Sequence, residues 1–170
     1  MKKISIRLII LFIILVFLQI WLFGNIHLFG FATPLLYVYF IIKLPISINR
    51  NIVILLSALL GFIIDIFGGV LGLNMLVMVI IGFLRFYLLK LFAPRDIFDD
   101  YVPSFNTFGK FLFMRYAGVI SLLHIFLLYT IESFSLLAPT LLFLHIAGSF
   151  TLTILLIFAF ESINFDVLKK

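Results

Sequence analysis

Apolar residues along this chain fall into six blocks separated by short polar gaps. The blocks run from Ile4 to Phe23, Phe31 to Leu44, Ile52 to Phe67, Val70 to Leu91, Phe111 to Ile131 and Leu136 to Ile163. A helix that crosses a bilayer needs roughly 20 apolar residues, with about 17 as the lower bound. The second and third blocks fall below that length, and Pro34 stands near the start of the second. These two are expected to be thinned, tilted or partly re-entrant. A four-span arrangement folds them into one re-entrant hairpin. Either way both ends of the chain lie on one side. The pattern predicts an all-α membrane protein, a six-helix transmembrane bundle forming a single integral membrane domain over residues 1–170.

The basic residues give this bundle an orientation. With the N-terminus in the cytoplasm and six alternating spans, Lys2, Lys3 and Arg7 lie inside. Lys43 and Arg50 lie inside between the second and third blocks. Arg85, Lys90, Arg95, Lys110 and Arg115 surround the inner loop between the fourth and fifth, and Lys169 and Lys170 close the chain inside. That places all 12 Lys and Arg residues on one side. The outer connections near Gly24 to Gly30, Gly68 to Gly69 and Glu132 to Ala138 carry none. The positive-inside rule is strongly satisfied. The expected arrangement is multi-pass, with both termini cytoplasmic.

Composition agrees. The chain is 65% hydrophobic and 11% charged, whereas soluble domains carry about a quarter charged residues. The net charge of +5 is explained by cations flanking spans and facing membrane lipid, with no nucleic-acid partner required. There is no cysteine, which excludes disulfides, thiolate metal sites and a cysteine nucleophile. Met1 to Lys3 followed by an apolar run resembles a signal peptide. The run is too long for a signal core and no small-residue cleavage site follows, so an uncleaved first span is expected.

The longest polar stretch, Ala93 to Lys110, is too short for a folded domain. It holds Arg95, Asp96, Asp99 and Asp100 and then a turn-favouring Pro/Ser/Asn/Thr/Gly run. Its Ile97, Phe98, Tyr101 and Phe105 are expected on the membrane surface or against a partner, the alternative being a plain solvated loop with aromatic anchors.

Polar groups inside spans are costly, so each raises the question of function. Asp65 follows Gly61 by one helical turn and precedes the Gly68/Gly69/Gly72 cluster and Asn74. The glycines permit a tight turn, so Asn74 can face Asp65 across a hairpin. Two readings stand: a ligand or partner contact at the outer end, or a helix-end carboxylate that reaches water or accepts N–H groups at the next helix start. In the fifth block Ser121, His124, Leu128 and Glu132 share a stripe, and in the sixth His145, Gly148, Ser149 and Leu152 do. Both stripes suggest helix contacts within the bundle. A His124–Glu132 proton path is the sharper alternative to a buried, bonded histidine. Arg85 and Arg115 are expected to snorkel. His27, His124 and His145 are isolated, and there is no nucleophile elbow, phosphate-binding loop or zinc ligand set. No catalytic residue, cofactor or metal is expected.

The sequence resembles the MreD family, the small membrane subunit of the bacterial rod-shape complex. The resemblance rests on Gln19 to Phe23 closing the first block, His27 to Tyr37 with Pro34, and Lys43-Leu-Pro45. It continues through Gly61-x-x-x-Asp65, Gly72-x-Asn74, Phe83-Leu-Arg85, Pro94-Arg-Asp96 and Asp100 to Ser104. Their order and spacing cover nearly the whole chain. The resemblance implies a non-enzymatic scaffold in the cell-elongation machinery. The implied partners are MreC first, then MreB, RodA and a penicillin-binding transpeptidase. It also implies a fold like the substrate-binding subunits of energy-coupling-factor vitamin transporters. Asp65, Gly72 and Asn74 match its most recognisable motif and are nominated as an interaction or structural site. The competing reading, a vitamin-transporter subunit, requires a polar pocket near the outer face and an early small-residue patch for an ATPase module. The first block offers Ile, Leu, Phe and Val instead.

Overall fold

A computed structural model describes residues 2–23, 32–70, 72–93, 101–132 and 139–167. The described elements are helical: α1 (Lys2–Leu18, continued by a π-helical turn, Gln19–Phe23), α2 (Val38–Lys43), α3 (Arg50–Gly68), α4 (Leu73–Phe92), α5 (Phe105–Phe108), α6 (Lys110–Glu132) and α7 (Pro139–Val167). Four helices are long and apolar enough to cross a bilayer: α3, α4, α6 and the Thr140–Ile163 stretch of α7. The apolar part of the first helix, Ile6–Leu22, is shorter. The protein is an all-helical bundle of the multi-pass membrane type.

The third block reaches spanning length because its helix takes in the polar residues at its edge. It begins at Arg50, where the Asn49 side chain accepts from Asn51 N–H at 3.0 Å, filling one of the orphan donors of a helix start. It ends at Gly69, whose φ of 68° is left-handed. Gly72, at φ 81°, starts α4. These positive angles, cheap only for glycine, reverse the chain between two antiparallel helices. The hairpin is tight. A Cβ at Gly61 would stand 2.5 Å from Met75 Cα, and one at Gly82 would run into Ser57 Oγ. From the hairpin the bundle continues in order, α4 packing on α6 and α6 on α7.

The second block departs most from a regular span. Residues 32–37 are not helical, and only Val38–Lys43 form α2. Leu36 to Ile42 lie almost completely buried. Non-helical backbone at membrane depth survives only where protein surrounds it and satisfies its polar groups, and here side chains do so. Gln19 donates from Nε2 to Pro34 O at 3.1 Å and accepts Leu36 N–H at Oε1 at 3.0 Å. Ser149 Oγ accepts from Thr33 N–H and Thr153 Oγ1 from Leu35 N–H, both at 3.0 Å. At the other end, Arg85 donates from Nε to Ile41 O at 2.8 Å, and from Nη2 to Leu44 O and Pro45 O. The block is thus a buried plug, pinned at both ends, that touches α1, α4 and α6.

The polar stretch contains an element not foreseen from its composition. Ser104 and Thr107 form a reciprocal capping box that starts α5. Phe105, expected at a surface, is buried with Phe108, and its ring meets Phe113 edge-on at 5.3 Å. Tyr101 is exposed as expected. Ile97, Phe98, the three aspartates and Arg95 lie outside the described residues, as do His27 and most of the two longer outer connections. Large apolar side chains cover the outer flanks of α1, α3, α4 and α7, as expected where lipid is the solvent.

Candidate functional site

Two polar clusters in the core surround two buried carboxylates. The first surrounds Asp65, which is 2% exposed. Its Oδ1 accepts from both the backbone N–H and the side-chain amide of Asn74 at 2.9 Å, and Oδ2 accepts from Met75 N–H at 2.9 Å. The carboxylate at the end of α3 therefore caps the start of α4, where the partial positive charge of the helix favours an anion. This is the helix-capping reading of Asp65. Gly72 contributes conformation only, since its φ of 81° lets the chain enter α4.

The cluster extends further than the motif. With its amide nitrogen directed to Asp65, Asn74 presents Oδ1 to Tyr37, whose hydroxyl donates at 2.7 Å. That proton committed, the Tyr37 oxygen accepts from His124 Nε2 at 3.0 Å. Asp65, Asn74, Tyr37 and His124 thus form one chain with a single direction of donation, and among the described residues His124 Nδ1 has no partner. His124 is joined to Tyr37, not to Glu132, which is exposed at the end of α6. On the neighbouring face, Tyr129 bonds Ser149 at 2.9 Å, and the His145 ring packs on Tyr129 with centroids 5.4 Å apart.

The second cluster surrounds Glu161, also 2% exposed. Lys43 Nζ donates to Oε1 and Oε2 at 3.2 and 3.1 Å, Tyr39 donates its hydroxyl to Oε2, and Phe105 N–H donates to Oε1 at 3.1 Å. One carboxylate thereby joins α2, α5 and α7. Arg85 stands near this end. It is 2% exposed and does not snorkel as expected; its guanidinium fork fits the unpaired carbonyls that end α2. Arg115 is exposed, its Cζ 4.1 Å from the Phe111 ring centre. Tyr37, just before α2, and Tyr39 within it reach opposite clusters, so this two-residue spacing bridges the polar layers.

Sequence reasoning placed Asn74 beside Asp65 but missed Gln19, Tyr39, Thr153 and Glu161 as ties. Glu161 carried a signal: it is a lone carboxylate inside an apolar block, and Lys43 ends another. Such charges within a membrane pair with each other. Chemically both carboxylates are saturated. Each carboxylate accepts three or more donors from its neighbours, an arrangement suited to holding helices in place. Among the described residues no three His, Asp or Glu side chains converge as a metal site. A groove of about 360 Å³ between α1, α2 and α3 is lined by apolar side chains, among them Leu8, Phe12, Phe40 and Leu56. No protein-family model matches the chain, and no curated protein or solved structure matches it either.

Proposed function

We propose that this protein is a non-catalytic membrane scaffold subunit of the bacterial cell-elongation complex, of the MreD type. It works in the cytoplasmic membrane as six crossing segments with both termini inside, and it binds MreC laterally, near MreB, RodA and a penicillin-binding transpeptidase. One observation supports the reading above others. Among the described residues that carry the resemblance, many have polar groups spent on internal ties. Gln19, Thr33, Pro34 and Tyr37 fix the plug, Asp65, Gly72 and Asn74 fix the hairpin, Arg85 closes α2, and Ser104 caps α5. Lateral association needs a rigid body with an apolar exterior, and a motif set devoted to internal geometry provides that body. The orientation is supported by the gathering of Lys43, Arg50, Arg85 and Lys90 toward the end where α3 begins and α4 finishes, opposite Asp65. The vitamin-transporter alternative requires polar groups open to a ligand at the outer end, where Asp65, Asn74 and Tyr37 bond one another instead.

Depletion of the protein in rod-shaped host cells is the decisive test. Cells should round up, and less of the MreC-type partner should be recovered with the complex. Unchanged shape together with unchanged recovery sinks the proposal. Neighbouring genes for an ABC-type ATPase or for vitamin synthesis would point to the transporter.

A further inference from the structure

The α3/α4 hairpin carries a second organised feature, on its lipid-facing flank and away from the buried clusters. Because the helices are antiparallel, the first residue of α3 and the last turns of α4 lie at the same level. Arg50 Cζ stands 3.9 Å from the centre of the Phe83 ring, 5.5 Å from Tyr87 and 5.9 Å from Phe86. Lys90 Nζ stands 4.6 Å from Phe86. The two cations therefore share Phe86. All three rings are substantially exposed, and Leu91 beside them is 73% exposed.

This concentration of positive charge has no counter-charge among the described side chains. The first turn of α3 contains no acidic residue, although a helix start favours one. Of the carboxylates whose side chains are described, Asp65 is bonded at the far end of the hairpin, Glu161 is paired with Lys43, and Glu132 lies at the last residue of α6. The rings hold the cations through their π faces. An arginine lying over a ring still has its in-plane N–H edge free, and that edge matches the bidentate geometry of a phosphate.

We propose that Arg50, Lys90 and the Phe83/Phe86/Tyr87 surface seat the headgroup phosphate of an anionic phospholipid. The charge selects the phosphate. The exposed rings and Leu91 select a lipid over a soluble anion, because they present an apolar surface beside the cations. The seat orders one lipid against the hairpin, making it part of whatever surface this flank offers.

The test uses the full chain in nanodiscs of mixed phosphatidylcholine and phosphatidylglycerol, reading the lipids retained on release by native mass spectrometry. The wild type should retain phosphatidylglycerol several-fold above its share of the bilayer. R50Q/K90Q should retain it at the bulk share. R7Q/R115Q removes the same charge from two separate positions and should keep the enrichment. Both variant pairs alter exposed or part-exposed side chains, and unchanged circular dichroism will show intact folding. Equal loss in both pairs would trace the effect to overall charge and overturn the proposal, as would no enrichment in the wild type. Inorganic phosphate that strips the retained lipid at constant ionic strength would reveal a simple ion site and also overturn it.

Discussion

Lys43 and Glu161 are 118 residues apart in the chain, and their side chains meet at 3.1 Å. The pair joins the short buried helix to the final one. Removing one member of a buried pair costs about 3–5 kcal/mol, whereas replacing both with apolar residues of similar size is often neutral. Glu161→Ala should therefore lower stability in detergent by about 3 kcal/mol. Lys43→Met combined with Glu161→Leu should recover only part of that loss, because the Tyr39 hydroxyl and Phe105 N–H then lose this acceptor. Denaturant titrations of both variants check the expectation, and a double variant as unstable as the single would show the charge itself to be indispensable.

Asp65 should be sensitive even to an isosteric change. Asparagine offers one acceptor oxygen and an NH₂ group that would face the donors of Asn74 or Met75. Leaving such buried groups unpaired costs about 1–3 kcal/mol each. Asp65→Asn is expected to destabilise the α3/α4 hairpin within that range and Asp65→Ala by at least as much. Amide exchange at Asn74 and Met75 should accelerate first.

Three glycines should respond differently to alanine. At Gly61 the obstacle is Met75 backbone, so Gly61→Ala must separate the helices, at about 1–3 kcal/mol. At Gly82 the obstacle is the Ser57 side chain, so Gly82→Ala should be partly rescued by Ser57→Gly, whereas no neighbouring side-chain change rescues Gly61→Ala. Gly118 has no other atom within 4 Å of an added Cβ; Gly118→Ala should stabilise α6 by up to about 1 kcal/mol. Thermal unfolding of the variants ranks them.

Arg85→Lys should not pass as conservative. A lysine keeps the charge but loses the fork that reaches Ile41, Leu44 and Pro45. Faster hydrogen exchange within Val38–Lys43 should accompany a stability loss of about 2 kcal/mol. Protection equal to the wild type would show that the α2 carbonyls do not depend on the guanidinium.

These side chains mark what could be read in advance. The long apolar blocks and the Asp65–Asn74 contact follow from local signals, namely span length, glycines that permit a turn, and a carboxylate near a helix start. The plug does not. Residues 32–37 stay non-helical because Gln19, Ser149 and Thr153 satisfy their backbone, and two of those partners lie more than a hundred residues away. Arg85 misled for the same reason: its position suggested an interfacial cation, and its role depends on carbonyls at the end of a helix whose brevity local pattern does not reveal. Glu161 required matching two charges in different blocks, and the donor from Phe105 requires the fold.

The pinning of the plug also sets an order of assembly. Thr33 and Leu35 depend on Ser149 and Thr153, and Tyr39 and Lys43 depend on Glu161, all in α7. When the second block leaves the ribosome, these partners have not been synthesised. Its backbone must stay hydrated, or be shielded by the insertion machinery, until the last helix arrives. The bundle thus closes only after α7 has been made, and a chain that stalls before Glu161 leaves its own centre unsealed.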